Sequence, residues 1–158
     1  MRCHPASTTI NLQQLINRLL VFYNPVATKQ KCYFINAAGH GLYVNTHAES
    51  LGTLLGSLFY IVARCSHDTP ILVTAACYNE RAAVSVQCSS KADSYRILHG
   101  FQHLQILSKE LNGSLDVSNY ENRETTITFN FSSRIASGAS EFMKKGETTT
   151  MNPSGTRL

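Results

Sequence analysis

The sequence predicts a two-layer α/β sandwich, an α+β fold in which about six strands lie beside three helices. Three observations predict it. Three segments repeat apolar residues at the three- and four-residue spacing of a helix. The second and third of them each lead into two strand-like segments joined by a short polar turn. The length, 158 residues with 43% hydrophobic, supports one domain with a real core and is short for two.

In chain order, Thr8 to Leu12 reads as a short strand or a helix lead-in, and Asn11 has the side chain of an N-cap. A helix is expected from there to about Tyr23, with Leu12, Leu15, Ile16, Leu19, Leu20 and Tyr23 as its apolar stripe. Asn24-Pro25 is its expected stop, with Val26-Ala27 as an optional further turn. Cys32 to Asn36 is strand-like, Gly39-His40-Gly41 is a turn, and Leu42-Tyr43-Val44 is another short strand.

The second helix organises the chain. Leu51, Leu54, Leu55, Leu58 and Val62 line up one buried face, and Ser57, Ile61 and Arg64 form a second stripe beside it, at the margin where a helix borders a groove. That stripe is the first place to look for a site. After the polar turn Ser66 to Pro70, Ile71 to Tyr78 and Ala82 to Cys88 read as a β-hairpin over Asn79-Glu80-Arg81. Ser89 to Gly100 is polar and is expected to be a loop. The third helix is expected from Phe101 to Leu111, with Asn112-Gly113 as its left-handed stop. Ser114 to Asn119 and Thr125 to Phe131 complete the strands, joined by the turn Tyr120 to Arg123. Residues 1–7 are an N-terminal extension, 8–132 the domain, and 133–158 a flexible tail rich in Ser, Thr, Gly and Lys.

Composition narrows the function. No apolar run has membrane-spanning length and no signal core follows Met1, so a cytoplasmic protein is expected. Five cysteines, an odd number without a C-x-x-C pair, argue against a disulfide framework or a zinc site. The net charge of +4 is spread along the chain, there is no Trp, and Lys144-Lys145 is too small a cluster to mark a nucleic-acid or membrane contact.

The order helix, two strands, helix, hairpin, loop, helix, hairpin resembles the ATP-binding catalytic domain of sensor histidine kinases, the fold shared with gyrase, heat-shock protein 90 and MutL. The likeness runs from about Thr8 to Ser132. It is carried by L-L-G-S-L-F-Y-I-V-A-R-C-S, Leu54 to Ser66, against a family pattern of V-L-x-N-L-L-x-N-A-I-K-Y-S type. It is also carried by L-S-K-E-L-N-G-S-L-D-V-S, Leu107 to Ser118, against a helix ending in G-G before a strand of I-x-V-x-S type. The resemblance implies a Bergerat-type ATP-binding fold, a mixed, mostly antiparallel sheet with three helices on one face.

The same resemblance places an ATP site on residues whose chemistry has changed. The family's Mg²⁺-holding asparagine falls on Ile61 and another asparagine on Ser57, while Arg64 matches a lysine near the phosphates and Ser66 is kept. Mg²⁺ needs hard oxygen ligands, and isoleucine has none. The D-x-G-x-G motif falls on Cys88 to Ala92, so Cys88 replaces the aspartate that reads adenine, and Ser90 and Ala92 replace glycines. A thiol is a poor acceptor. The later G-x-G leaves Gly100, with Leu98 at its partner position. The stretch before the first helix is too short for the family's two-helix phosphoacceptor segment, and His4 cannot replace it; that segment is expected elsewhere.

The expected function is therefore a degenerate, pseudokinase-like domain of a two-component pathway, an interaction module that docks to a receiver domain, kinase or phosphotransfer protein. Neither a cofactor nor a metal is expected. The alternative is a divergent but working ATP-binding domain using Mg·ATP, with Arg64 and Gly100 at the phosphates and Asp93 in place of the lost aspartate. A third reading makes Cys88 and Cys77, on adjacent hairpin strands, a redox pair, against the plainer one of buried thiols. His99 and His103 have a metal-holding spacing but no third ligand in sequence, so they read as a surface pair.

Overall fold

The structure, a computed structural model, describes residues 8–89, 94–120 and 124–133. The expected N-terminal extension, almost all of the expected tail, the Tyr120–Arg123 turn except Tyr120, and Ser90, Lys91, Ala92 and Asp93 lie outside them. Chain order is β1 (Thr8–Asn11), α1 (Leu12–Lys29), β2 (Tyr33–Asn36), β3 (Tyr43–Thr46), α2 (Ala48–Cys65), β4 (Pro70–Tyr78), β5 (Arg81–Ser89), α3 (Ser94–Glu110), β6 (Ser114–Tyr120) and β7 (Glu124–Ser132).

Five strands form one sheet in the order β2-β4-β5-β7-β6, while β1 pairs antiparallel with β3 apart from it. Only β2 and β4 run parallel, because β3 and α2 form the crossover between them. The sheet is mixed and mostly antiparallel, as expected. Its helix-facing side is set by alternation. Ile71, Val73, Val84, Val86, Cys88, Thr125, Ile127, Phe129 and Phe131 are buried and face one another across the register. Between them Leu72, Thr74, Ser85, Gln87, Thr126 and Thr128 stay half-exposed on the other side. All three helices lie over the buried side, α2 between α1 and α3.

Local signals explain most boundaries. Asn11 Oδ1 accepts the Gln14 N–H at 3.2 Å, the expected N-cap. Asn112 takes a left-handed φ of 50° after α3, and the Gly113 N–H donates to the Ser108 carbonyl at 2.8 Å. A side chain at Gly113 would run into the Asn130 carbonyl and the Phe129 ring, so this stop needs glycine for space.

Two boundaries correct the sequence reading. α1 does not stop at Pro25 but continues to Lys29, where Lys31 turns left-handed at φ 58° and the Cys32 N–H reaches back to the Ala27 carbonyl at 2.9 Å. Val21 and Pro25 are both exposed, so water can satisfy the carbonyl that a proline leaves without its helical donor. α3 begins at Ser94 rather than Phe101, so most of the expected Ser89–Gly100 loop is helix. Ile97, Phe101 and Leu104 are buried on one of its faces, against α2.

Candidate functional site

The margin of α2 is where the sequence points, and the structure brings some of its residues together. Ser57 and Ile61 are half-buried and Arg64 is exposed, one to two turns apart along the helix. Arg64 Nη1 donates to Tyr60 Oη at 3.2 Å, and its guanidinium lies 5.8 Å from the Tyr60 ring centre. Tyr60 in turn leans on Tyr23 of α1, ring centres 6.0 Å apart, and Phe22 meets Tyr23 edge-on at 5.0 Å. Arg64 is thus held at the end of an aromatic row.

Ile61 is held from the other side. A Cβ built on Gly100 would lie 3.0 Å from Ile61 Cδ1 and 3.4 Å from both its Cγ1 and Cγ2. Gly100 therefore does not belong to a phosphate loop ahead of α3. It sits inside the helix, where glycine costs about 1 kcal/mol against alanine. The close approach of two helices is what it allows. Seen from α2, Ile61, where the sequence resemblance placed a metal-holding asparagine, is a hydrocarbon with the backbone of α3 close against it.

Cys88 lies at the end of β5, buried, with Sγ 3.7 Å from the Thr125 carbonyl. Burial pushes its thiol pKa up; the Ser66 hydroxyl pulls it back somewhat, and the nearby Cys32 and Cys65 thiols raise it further. Ser66 is fully buried at the foot of α2, and its Oγ makes no hydrogen bond of good geometry, so its pull on Cys88 is a weak one. Thr69 Oγ1 and Ser89 Oγ share a short hydrogen bond beside it. This end of the sheet is a set of thiols and hydroxyls. They can hold small polar groups, but they supply no carboxylate to a metal, and none of the described His, Cys, Asp and Glu residues converge as a metal-ligand group.

The redox pair of Cys77 and Cys88, weighed against the plainer reading of buried thiols, does not form: Cys88 is buried, Cys77 is half-buried, and both are free thiols. In the hairpin Cys77 faces Ala82 and Cys88 faces Ile71, so the two lie six residues apart along the strands, about 20 Å. A disulfide needs Cα atoms within about 7 Å. His99 and His103 lie on the exposed side of α3. Ser90 and Asp93 lie outside the described residues.

Sequence reasoning missed two features. One is a groove between α1 and β2, lined at one end by Gln13, Gln14, Asn17, Arg18 and Asn36, and continued past Leu20, Val21, Asn24 and Phe34. The helical spacing of its amides along α1 was a visible signal. The other is a smaller polar cavity of about 150 Å³ between Asn45, His47 and Glu110, in which the Asn45 Oδ1 and His47 Nδ1 are buried without partners. Nothing in the sequence marks it, because its walls come from β3, α3 and β7.

No family model matches the chain, and no curated protein matches it. Solved structures do. The histidine kinase AdeS of Acinetobacter baumannii superposes with a TM-score of 0.71 over 84% of this chain and 70% of that one, at 11% identity. The catalytic domain of the histidine kinase ThkA gives 0.65 over 80% of this chain and 95% of that one, at 17% identity. ThkA in complex with the response regulator protein TrrA gives 0.65 over 81% of this chain and 42% of that one, also at 17%. The chain has the fold of histidine-kinase catalytic domains.

Proposed function

We propose that this histidine-kinase-like ATPase-fold domain works as a signalling interaction module in a two-component phosphorelay, with nucleotide binding weak or lost. Its partner is a receiver domain, a kinase or a phosphotransfer protein, and its place is the cytoplasm. The observation that carries the reading is the seat of Gly100 on Ile61. Where the likeness puts an oxygen ligand for Mg²⁺, this chain has a hydrocarbon in van der Waals contact with a helix. The second support is Cys88. A buried thiol whose pKa is pushed up stays neutral and replaces a carboxylate as acceptor.

Magnitude decides how far the loss goes. Each charge-assisted hydrogen bond is worth about 1.5–3 kcal/mol, and each 1.4 kcal/mol is tenfold in affinity, so losing the metal and the adenine acceptor together costs roughly a thousandfold. Phosphoryl transfer suffers more, since it depends on a metal and positioned phosphate ligands. A response regulator seated on a protein of the same fold supports a phosphorelay partner, and among the described residues no helix is long and apolar enough to cross a membrane.

Calorimetry with ATP, with and without Mg²⁺, tests the reading. No heat at millimolar ATP is expected. Micromolar, Mg-dependent binding would overturn it in favour of a working ATP-binding domain.

A further inference from the structure

At the other end of the helix layer from the α2–α3 contact, a groove runs between α1 and β2. β2 is an edge strand, and no strand pairs with its outer side among the described residues. Its register with β4 turns the backbone groups of Tyr33 and Ile35 toward the sheet, and the Ala37 N–H continues that row to the Val73 carbonyl at 2.8 Å. By alternation, the N–H and C=O of Phe34 and Asn36 face outward. Natural edges are normally blunted by lysine, proline or a bulge. This one reads Tyr-Phe-Ile-Asn, with Tyr33 56% and Ile35 40% exposed.

Beside the open edge lies the groove against α1. Its wider part encloses about 510 Å³, and the adjoining part, which shares Asn17 and Asn36, about 240 Å³. Five carboxamides line it: Gln13, Gln14, Asn17, Asn24 and Asn36. A carboxamide offers one acceptor and two donors, the complement of a peptide group. Asn36 Oδ1 is already engaged by the Ala38 N–H, which leaves its Nδ2 to donate. Leu20 and Phe34 floor the groove, and Arg18 is the one charged side chain among its described lining residues. From residue 13 to residue 24 the helix rises about 16 Å. That is the length of about five extended residues.

We propose that the groove between α1 and β2 takes an extended peptide segment of a partner protein as a sixth strand, with an acidic residue of that segment on Arg18. Outward backbone groups of Phe34 and Asn36 pair with the peptide main chain. The groove's carboxamides hold the peptide groups on its far side, and alternate apolar side chains drop onto Leu20 and Phe34. Charge sets the direction. Among its described residues the lining has a cation and no carboxylate, so a segment carrying Glu near one end is preferred over one carrying Lys. This holds whether or not the α2–α3 side binds nucleotide.

The test uses the full chain and a pool of ten-residue peptides with Val or Ile at alternate positions and Glu at one end. A matched pool carries Lys for Glu. The Glu pool is expected to bind and to protect the amides of Phe34 and Asn36 from hydrogen exchange. Arg18→Glu should weaken the Glu pool about tenfold, one charge-assisted hydrogen bond, and strengthen the Lys pool. N-methylating alternate peptide amides should abolish binding in one register and spare it in the other. Arg18 is exposed, so the variant is expected to fold, and a thermal melt checks this. No binding at millimolar peptide, equal binding of the two pools, protection elsewhere in the chain, or closure of the β2 edge by a second copy of this protein would each overturn the proposal.

Discussion

The contact of Gly100 with Ile61 can be measured as a coupling energy. Gly100→Ala removes a helix-interior glycine, which by itself gains about 1 kcal/mol. It also places a methyl 3.0–3.4 Å from three carbons of Ile61, tighter than the 3.5–4.0 Å optimum. Turning Ile61 about χ2 relieves Cδ1, while Cγ1 and Cγ2 remain at 3.4 Å, the near limit of ordinary contact, so the fit requires Ile61 or α3 to give by a few tenths of an ångström. Overpacking of this kind costs about 1–3 kcal/mol. The sum runs from no change to about 2 kcal/mol of destabilisation. In an Ile61→Ala background the obstruction is gone and only the propensity gain is left, so the same Gly100→Ala should stabilise by about 1 kcal/mol. The substitution therefore loses its cost, and the cycle yields about 1–3 kcal/mol of coupling. Urea unfolding of the four proteins reads it. Additivity within about 0.5 kcal/mol would show that α3 does not rest on Ile61 in solution. The closed α2–α3 margin would then lose its basis.

Three further outcomes are expected. Gly113→Ala should lower stability by about 1–3 kcal/mol in denaturant unfolding, because its methyl meets a backbone carbonyl of β7 that cannot swing aside. Asn11→Ala should lower it by about 1 kcal/mol through the lost N-cap, with Asn11→Ser recovering most of it. For Cys88 the sign follows from the proton count: the folded thiol holds its proton above the ordinary value of 9.0, where the unfolded thiol has already lost it. Stability from this group is full below pH 9.0 and falls as pH rises beyond it toward the raised folded value. Urea midpoints from pH 8 to 10 should fall less steeply in Cys88→Ala than in the unaltered chain.

What was legible in the sequence is what local spacing decides. The apolar face of α2, the alternation of β4 to β7, the Asn11 cap and the Asn112-Gly113 stop all depend on residues within a turn or a strand of one another. The hairpin turn even carried the separation of Cys77 and Cys88: once Tyr78 pairs with Arg81, the register puts the two thiols at opposite ends. What misled was a local signal overruled from elsewhere. Pro25 reads as a stop, and exposure makes it tolerable. Gly100, among Ser, Arg and His, reads as loop, and only the crossing of α2 explains a glycine in that helix. Ile97, Phe101 and Leu104 already had the spacing that extends α3 upstream. The two hairpin pairings, β4 with β5 and β6 with β7, were legible, but the order of the five strands was not, because the pairings of β2 with β4 and of β5 with β7 join distant parts of the chain, and with it went the knowledge that β2 is an edge.

These two sides of the molecule have opposite consequences for recognition. On one, α3 packs on α2 through a contact that needs no ligand, and burial pushes the Cys88 thiol pKa up. On the other, an uncharged edge strand is left open beside a groove rich in hydrogen-bonding amides. The sheet has two edge strands, β2 and β6, and the outer edge of β2 is the one that borders this groove. Because the edge and the α2–α3 margin share no residue, Arg18→Glu and Gly100→Ala should act independently, one on peptide affinity and the other on stability. Coupling between them beyond about 0.5 kcal/mol would mean that the two sides form one site.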